Sequence, residues 1–178
     1  MLVEAAVAAI GDDEMAELLA SRAADAHRLA TWLLRDPVAA EDAVQEAAMA
    51  AWDGRRKLRY SGNLDAWFNR IVVNVCRDEL RRRGKRRLLP EPPASVSNSA
   101  SYGPDTLAMR DEIERAISHL SADEQVVIGL RYGRDLTVPQ IASQTGWAEG
   151  TVKSRLHHSL LHLRAELAAE RRVGEPER

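Results

Sequence analysis

The sequence predicts an all-α protein made of two small helical domains. Phe, Trp and Tyr together supply only 4% of its 178 residues, whereas Ala, Leu, Glu and Arg dominate, a composition that favours helices over a β-sandwich. Apolar residues make up 45% and recur at helical spacing between helix-capping residues. Residues 84–104 hold four prolines and four serines without an apolar period. Such a segment is typical of a flexible linker, and it separates the two domains.

The N-terminal domain is expected to cover residues 1–83. Its predicted helices cover residues 2–10, 13–34, 37–53 and 64–83. Asp36 followed by Pro37 is a helix start, because the aspartate side chain can cap the first turn and proline suits it. Asn63 provides the same kind of cap after a Gly- and Arg-containing loop over residues 54–63.

The C-terminal domain is expected to cover residues 105–170, followed by a tail over 171–178. Its boundary signals are two capping boxes and two turn glycines: Ser121 with Glu124, Thr137 with Gln140, Gly133 and Gly146. They predict a short helix ending near residue 144, a turn, and a long helix over 149–170. This order is typical of a helix-turn-helix.

The net charge of −2 conceals four blocks of charge. Residues 1–54 carry a net −8, residues 55–87 a net +9, residues 88–130 a net −5 and residues 131–178 a net +2. A strongly acidic block beside a strongly basic one predicts two kinds of partner, one basic and the other a polyanion.

Several classes of protein are excluded by what the sequence lacks. A single cysteine, Cys76, allows neither an intramolecular disulfide nor a multi-cysteine zinc site, which fits a reducing compartment. The N-terminus carries Glu4 instead of a basic segment, so no signal peptide is expected. Because no apolar run approaches about 20 residues, no membrane span is expected. We therefore expect a cytoplasmic protein without a cofactor.

Helix 37–53 is predicted to have two contrasting faces. Its apolar stripe consists of Ala40, Val44, Ala47, Ala48 and Ala51. The opposite face carries Asp42, Gln45, Glu46, Met49 and Asp53. This face could be simply solvated, could hold a metal or acid–base pair through Asp42 and Glu46, or could dock a basic partner. The metal reading lacks further ligands.

Helix 64–83 is predicted to combine a core face with a basic face. The apolar stripe consists of Leu64, Phe68, Ile71, Val72 and Val75, with Cys76 beside it as a packing residue. The far side carries Arg70, Asn74, Arg77 and Arg81, with Trp67 at the border. A row of arginines suits phosphates, although it could merely make the surface soluble. Tyr60 and Trp67 suit unstacked single-stranded bases.

The long C-terminal helix is predicted to pack through Val152, Leu156, Leu160, Leu163 and Leu167. Pointing away from that stripe are Ser154, His157, His158 and Leu161, flanked by Lys153 and Arg155. Short polar and basic residues on the first turns favour reading of a DNA major groove. A metal site at the histidines is the alternative, but His157 and His158 are adjacent, and His158 with His162 lacks a third ligand.

Three of these segments together resemble one family. Ala40-Glu-Asp-Ala-Val-Gln-Glu46 resembles region 2.2 of the extracytoplasmic-function (ECF) sigma factors of bacterial RNA polymerase, within the sigma-70 family. Trp67-Phe-Asn-Arg-Ile-Val-Val-Asn74 resembles their region 2.4. Leu120-Ser with Glu124-Gln, followed by Gly150-Thr-Val-Lys-Ser-Arg-Leu156, resembles their region 4. The resemblance covers residues 14–168.

The resemblance implies a set of binding residues for each partner. Core polymerase, through the clamp helices of its largest subunit, would be bound by Asp42, Gln45, Glu46 and Met49. Melted −10 promoter DNA would be bound by Arg59, Tyr60, Ser61, Asn63, Trp67, Arg70, Asn74, Arg77 and Arg81. Duplex −35 DNA would be bound by Arg131, Thr151, Lys153, Ser154, Arg155, His157 and His158. The polymerase flap and an anti-sigma factor complete the partners that the resemblance implies.

Some residues depart from the family pattern. Tyr60 stands where many relatives have a small residue, and His157-His158 replaces an aromatic–arginine pair, so the preferred bases are expected to differ. Ala148 stands where a Ser or Thr cap is usual, at an expected cost of about 1 kcal/mol to the start of the helix.

The sequence therefore predicts a sigma factor that directs promoter-specific transcription initiation. The alternative is a stand-alone dimeric helix-turn-helix regulator, which would need paired half-sites about one helical turn apart. An enzyme acting on nucleic acid is a third class, but the sequence offers no nucleophile, metal cluster or phosphate-cradling glycine loop for it.

Overall fold

The computed structural model describes residues 11–57, 63–87 and 104–174, and every regular element in these ranges is helical. The predicted all-α class is thus confirmed. The seven α-helices are α1 (Asp12–Leu34), α2 (Pro37–Gly54), α3 (Leu64–Arg87), α4 (Pro104–His119), α5 (Ala122–Ile128), α6 (Val138–Thr145) and α7 (Glu149–Gly174). A 3₁₀ turn over Arg55–Lys57 follows α2, and a π turn over Gly129–Gly133 follows α5.

The chain forms two compact units. The division falls within α3, after Glu79, and the short segment Ser143–Gly146 is assigned to the first unit. Helix α3 runs to Arg87, four residues beyond its expected end at residue 83. Gly84 costs only about 1 kcal/mol inside a helix, and the basic side chains that follow suit a helix C-terminus. The predicted helix over 2–10 and most of the predicted linker lie outside the described residues.

Local capping determines where the helices of the N-terminal unit begin and end. Helix α1 ends at Leu34 because Arg35 adopts a left-handed conformation (φ 53°) and donates its N–H to the Thr31 carbonyl. The Asp36 carboxylate then accepts hydrogen bonds from the N–H groups of Val38 and Ala39, at 3.0 and 3.1 Å. The predicted Asp36 cap, with Pro37 at the first helical position, is confirmed.

A line of alanines packs α2 against α1. The buried residues of α2 are Ala40, Ala43, Ala47 and Ala51, whereas the predicted stripe members Val44 and Ala48 are only half-buried. The buried residues of α1 are Met15, Ala26, Leu29, Ala30, Leu33 and Leu34. Because alanine is small, the two helices approach closely, and α2 is left with a wide exposed face.

Helix α3 begins at the predicted cap. The Asn63 Oδ1 accepts from the N–H groups of Asp65 and Ala66, at 3.0 and 3.2 Å. Its buried apolar residues are Phe68, Val72, Val73, Cys76 and Leu80. The buried side is therefore rotated from the predicted stripe, whose Leu64, Ile71 and Val75 are half-buried. Cys76 is a free, buried thiol, as expected of a packing residue.

In the C-terminal unit the predicted Ser121–Glu124 capping box is present, with both of its hydrogen bonds formed. Gly133 ends the helical segment, as predicted, but the left-handed residue of the following turn is Asp135 (φ 51°). Gly133 is not needed for a positive φ there. The core of this unit comes from Val126, Val127, Ile128, Leu130, Ile141 and Val152.

The helix-turn-helix is formed by α6, a turn at residues 146–148, and α7. Thr137 donates its N–H and hydroxyl to Gln140 Oε1, at 2.8 and 2.9 Å, so the predicted contact at the start of α6 is present. Gly146 adopts φ 75°, which glycine tolerates and other residues rarely do. Ala148 stands before α7, and its carbonyl accepts from the Val152 N–H at 3.0 Å. Alanine offers no side-chain cap there.

Candidate functional sites

Helix α2 presents its predicted polar residues together on one exposed face. Asp42, Gln45, Glu46 and Met49 are all exposed, and Asp53 continues the row. Met49 is 62% exposed, which is unusual for a large apolar side chain. A solvated face does not need an apolar residue among its carboxylates. The combination suits a partner that is basic and also offers apolar surface.

The end of α2 adds an arginine–tryptophan contact that sequence reasoning missed. The Arg55 guanidinium lies 4.3 Å from the Trp52 ring centroid. It donates to the Trp52 carbonyl at 2.6 Å and to Asp12 Oδ1 at 2.7 Å. The hydrogen bond from Arg55 holds the pKa of Asp12 below its ordinary value of 3.8. Arg55 thereby ties the start of α1 to the end of α2. The only sign of this contact in the sequence is that Trp52 and Arg55 are three positions apart.

Helix α3 carries the predicted basic row along one continuous helix. Arg70 and Arg81 are exposed but engaged: Arg70 donates to the Ser143 carbonyl at 3.0 Å, and Arg81 pairs with Asp123 at 3.0 Å. Asn74 and Arg77 are half-buried. Trp67 is half-buried, with its ring against Gly54 at the end of α2. Asn63 uses its side-chain oxygen for the helix cap, so its amide NH₂ is the group left to face a ligand. The other three predicted −10 residues, Arg59, Tyr60 and Ser61, lie outside the described residues.

The first turns of α7 form the third candidate surface. Thr151, Lys153, Ser154, His157 and His158 are all exposed. The imidazole centroids of His157 and His158 lie 5.7 Å apart, with their planes tilted by 52°. A helix with short polar and basic groups on its exposed N-terminal turns has the chemistry that major-groove reading requires.

Two arginines predicted beside these residues are instead engaged within the C-terminal unit. Arg131 Nη1 donates to the Leu136 carbonyl at 2.9 Å, across the turn before α6. Arg155 pairs with Asp123 at 2.8 Å and stacks over Trp147. Both side chains are half-buried. The sequence pattern associates Arg131 and Arg155 with the helix-turn-helix, but it does not show that they contact Leu136, Asp123 and Trp147.

Two further histidines, His119 and His162, lie within hydrogen-bonding distance of carboxylates. His162 Nδ1 lies 2.7 Å from Glu124 Oε1, and His119 Nδ1 lies 2.8 Å from Glu166 Oε2. Within the described ranges, no group of three or more His, Cys, Asp or Glu side chains is placed to hold a metal ion. The carboxylate at His162 explains the position of that histidine without a metal.

Glu124 is a buried carboxylate with a perturbed pKa. Burial acts to raise its pKa, but hydrogen bonds from the Ser121 hydroxyl and N–H, together with His162, outweigh burial. The pKa of Glu124 therefore lies below its ordinary value of 4.5. The charged form stabilises the junction between α5 and α7.

Known protein families match both units. The Sigma-70 region 2 family model matches residues 18–86, and the Sigma-70, region 4 model matches residues 110–163. The first range holds the candidate faces of α2 and α3, and the second holds the helix-turn-helix. Within the described ranges, no helix has both the length and the apolar composition that crossing a membrane requires.

Similar proteins include several named sigma factors. SigL of Mycobacterium tuberculosis, an ECF RNA polymerase sigma factor, is 34% identical over 156 residues, which cover 86% of this chain and 88% of SigL. SigM of the same species is 32% identical over 72% of this chain. The chain spans 64% of the length of SigM, less than two thirds. SigV of Bacillus subtilis is 29% identical, over 82% of this chain and 86% of SigV.

Two solved structures share this fold. The sigma factor RpoE of Bartonella quintana, crystallised with the anti-sigma factor NepR, has a TM-score of 0.59 and 28% identity, over 89% of this chain and 98% of RpoE. CnrH, in complex with the cytosolic domain of CnrY, has a TM-score of 0.55 at 20% identity and shows the shared fold alone. Through its identity with SigL and its two matched regions, the chain belongs to the ECF sigma factors of the sigma-70 family.

Proposed function

We propose that this chain is a promoter-specificity subunit that binds core RNA polymerase and directs transcription initiation. The observation that carries the proposal is that α2, α3 and α7 each expose a different chemistry, matched to a different ligand. Helix α2 has an acidic face that includes an apolar residue. Helix α3 has a basic row beside an aromatic residue, and the first turns of α7 are polar. A stand-alone regulator would need only the last of them.

The α2 face is the proposed contact with core polymerase. Asp42, Gln45, Glu46 and Met49 are exposed together, which supports a role in binding the basic clamp helices of the largest subunit. Charge complementarity of this kind speeds association and fixes orientation. The polymerase flap is the proposed second contact of the complex.

The α3 face is the proposed contact with melted −10 DNA. Arg70, Arg77 and Arg81 supply charge along the helix, Asn74 can donate to and accept from a base edge, and Trp67 offers a ring for stacking. Asn63 and the residues of the loop before it, Arg59, Tyr60 and Ser61, complete the proposed set. Opening a duplex requires capture of unstacked bases, for which an aromatic beside basic groups is suited.

The exposed turns of α7 are the proposed contact with duplex −35 DNA. Thr151, Lys153, Ser154, His157 and His158 supply the donors and acceptors for base edges and phosphates. Arg131, which braces the turn before α6, belongs to the same proposed set. The chain would carry no catalytic residues and would act in the cytoplasm, where it would meet polymerase. An anti-sigma factor is a further proposed partner, supported by the RpoE–NepR complex.

Run-off transcription on a pooled promoter library tests this function. Core bacterial RNA polymerase is assayed with and without the chain, and the chain is also assayed alone for binding to the same DNA. We expect chain-dependent transcripts that share two unlike upstream elements. Absence of such transcripts, together with polymerase-independent binding to palindromic duplexes, would instead support a dimeric helix-turn-helix regulator.

A further inference from the structure

The guanidinium of Arg155 joins three parts of the C-terminal unit. It stacks over the indole of Trp147, 3.8 Å from the ring centroid, and its Nη2 lies 2.8 Å from Asp123 Oδ2. Trp147 lies in the turn before α7, and Asp123 lies in the first turn of α5. One side chain of α7 therefore contacts both the turn before that helix and a helix of the core.

The burial of Arg155 differs from that of its neighbours. Its side chain is 30% exposed, whereas those of Lys153 and Ser154 are exposed. Its Nη1 is buried and has no hydrogen-bond partner among the described residues. To reach a phosphate, the guanidinium would have to leave both the Trp147 ring and the Asp123 carboxylate. Its present contacts use the flat face and the in-plane donors at the same time.

We propose that Arg155 is a positioning residue that holds α7 at the angle needed to present its exposed turns to −35 DNA. This inference rests on the proposed function, in which those turns contact the promoter. The family resemblance implied that Arg155 is a DNA contact. Its stacking and ion pair instead indicate that Arg155 supports the helical turns that carry Thr151, Lys153 and His157.

Lysine separates positioning from a direct phosphate contact. A lysine ammonium is a compact point charge that can satisfy a phosphate but cannot stack flat while donating in the same plane. Arg155→Lys should therefore behave like Arg155→Ala if the role is positioning. If Arg155 contacted a phosphate, the lysine variant would retain most of the affinity.

The first measurement needs no DNA. Hydrogen–deuterium exchange of the full chain compares residues 147–158 in the wild type, Arg155→Lys, Arg155→Ala and Trp147→Leu. Arg164→Lys serves as the matched control, because Arg164 is an exposed arginine on the same helix outside the proposed contacts. We expect about threefold or faster exchange in the first three variants and no change in the control. Wild-type exchange in Arg155→Lys would overturn the proposal. Trp147→Leu tests the stacking even if an Arg155 variant fails to fold.

The second measurement is the affinity of the holoenzyme for a promoter recovered from the library. Arg155→Lys and Trp147→Leu should each weaken binding about tenfold. The double variant should bind no more weakly than either single variant, because both substitutions remove the same stacking contact. Lys153→Ala, a proposed phosphate contact, should instead lower the salt slope by about 0.9. Additive losses, or full affinity in Arg155→Lys, would overturn the positioning role. If the wild type recognises no promoter, the proposed function fails, and the exchange data still decide the role of Arg155.

Discussion

Helices α2 and α7 present their exposed faces by different physical means. Helix α2 begins at an aspartate cap and rests on a line of buried alanines packed against α1. Helix α7 begins after Ala148, which offers no side-chain cap, and polar contacts join it to the rest of its unit. These contacts are Arg155 with Asp123, His162 with Glu124, and His119 with Glu166. The position of α2 should therefore depend mainly on close packing, whereas that of α7 should depend more on charged contacts.

The largest expected effect concerns the α2 face itself. Asp42→Ala combined with Glu46→Ala removes two exposed carboxylates without touching the alanine line. We expect core polymerase binding to weaken by about 3 kcal/mol, or more than a hundredfold, because a basic partner loses both counter-charges. The helix content should stay unchanged. Pull-down and titration of core polymerase measure the loss.

A charge-matched control accompanies that variant. Glu41→Ala with Glu17→Ala removes the same charge from exposed positions that lie off the predicted face. The control should bind polymerase as the wild type does. Unchanged binding by the folded Asp42/Glu46 variant would refute the role assigned to the face.

The alanine line provides the next largest effect. Ala47 is fully buried, so Ala47→Leu forces a larger side chain into a packed interior. We expect a loss of about 2 kcal/mol in the free energy of unfolding. Ala50→Leu, at an exposed position of the same helix, should change the free energy of unfolding by less than about 0.5 kcal/mol. Chemical denaturation compares the two. Equal stabilities for both variants would show that α2 is not fixed by close packing.

Glu124 should make the stability of the C-terminal unit depend on pH. Because the pKa of Glu124 is lowered on folding, its charged form stabilises the fold above the ordinary value of 4.5. That stabilisation is lost as the pH falls through the folded-state pKa. Glu124→Gln keeps an acceptor for Ser121 but removes the charge, so we expect a cost of about 1 kcal/mol at neutral pH.

Denaturation at neutral pH and at pH values below 4.5 compares the free energies of unfolding of the wild type and Glu124→Gln. The difference in stability should shrink as the pH falls through the folded-state pKa, since Glu124 is then neutral, as the glutamine is. A difference that stays constant across pH would mean that the charge of Glu124 is not what ties α5 to α7.

The smallest expected effect is a gain at the start of α7. Ala148→Ser introduces the missing side-chain acceptor for the first turn and should stabilise the chain by about 0.5 to 1 kcal/mol. Ala165→Ser, at an exposed position inside the same helix, should cost a few tenths of a kcal/mol, about the difference in helix propensity. Thermal unfolding of both variants gives the sign. A loss in Ala148→Ser would contradict the view that this helix lacks a cap.

Local signals predicted much of the fold because capping involves residues two to four positions apart. Asp36, Asn63, Ser121 with Glu124, and Thr137 with Gln140 all act within one turn of chain, and each was found where predicted. The exposed face of α2 was also predictable, since a helical wheel separates its carboxylates from its alanines.

Contacts between distant residues could not be predicted in this way. A helical wheel ranks the faces of one helix but does not show which neighbouring helix packs on them. For this reason Ala43 was missing from the predicted apolar stripe of α2, and the buried side of α3 is rotated from its predicted stripe. Arg155 shows the same limit: its partner Asp123 is separated from it by more than 30 residues, and only the folded unit brings them together. The roles assigned to the exposed residues remain predictions until promoter and polymerase binding are measured.

The most direct test of the whole account uses one promoter recovered from the library. Run-off transcription by core polymerase with the chain is measured on the intact promoter and on versions with the −35 or the −10 element scrambled. We expect chain-dependent transcription that either scramble abolishes, because each unit reads its own element. Transcription that survives the loss of one element, or that needs no added chain, would contradict it.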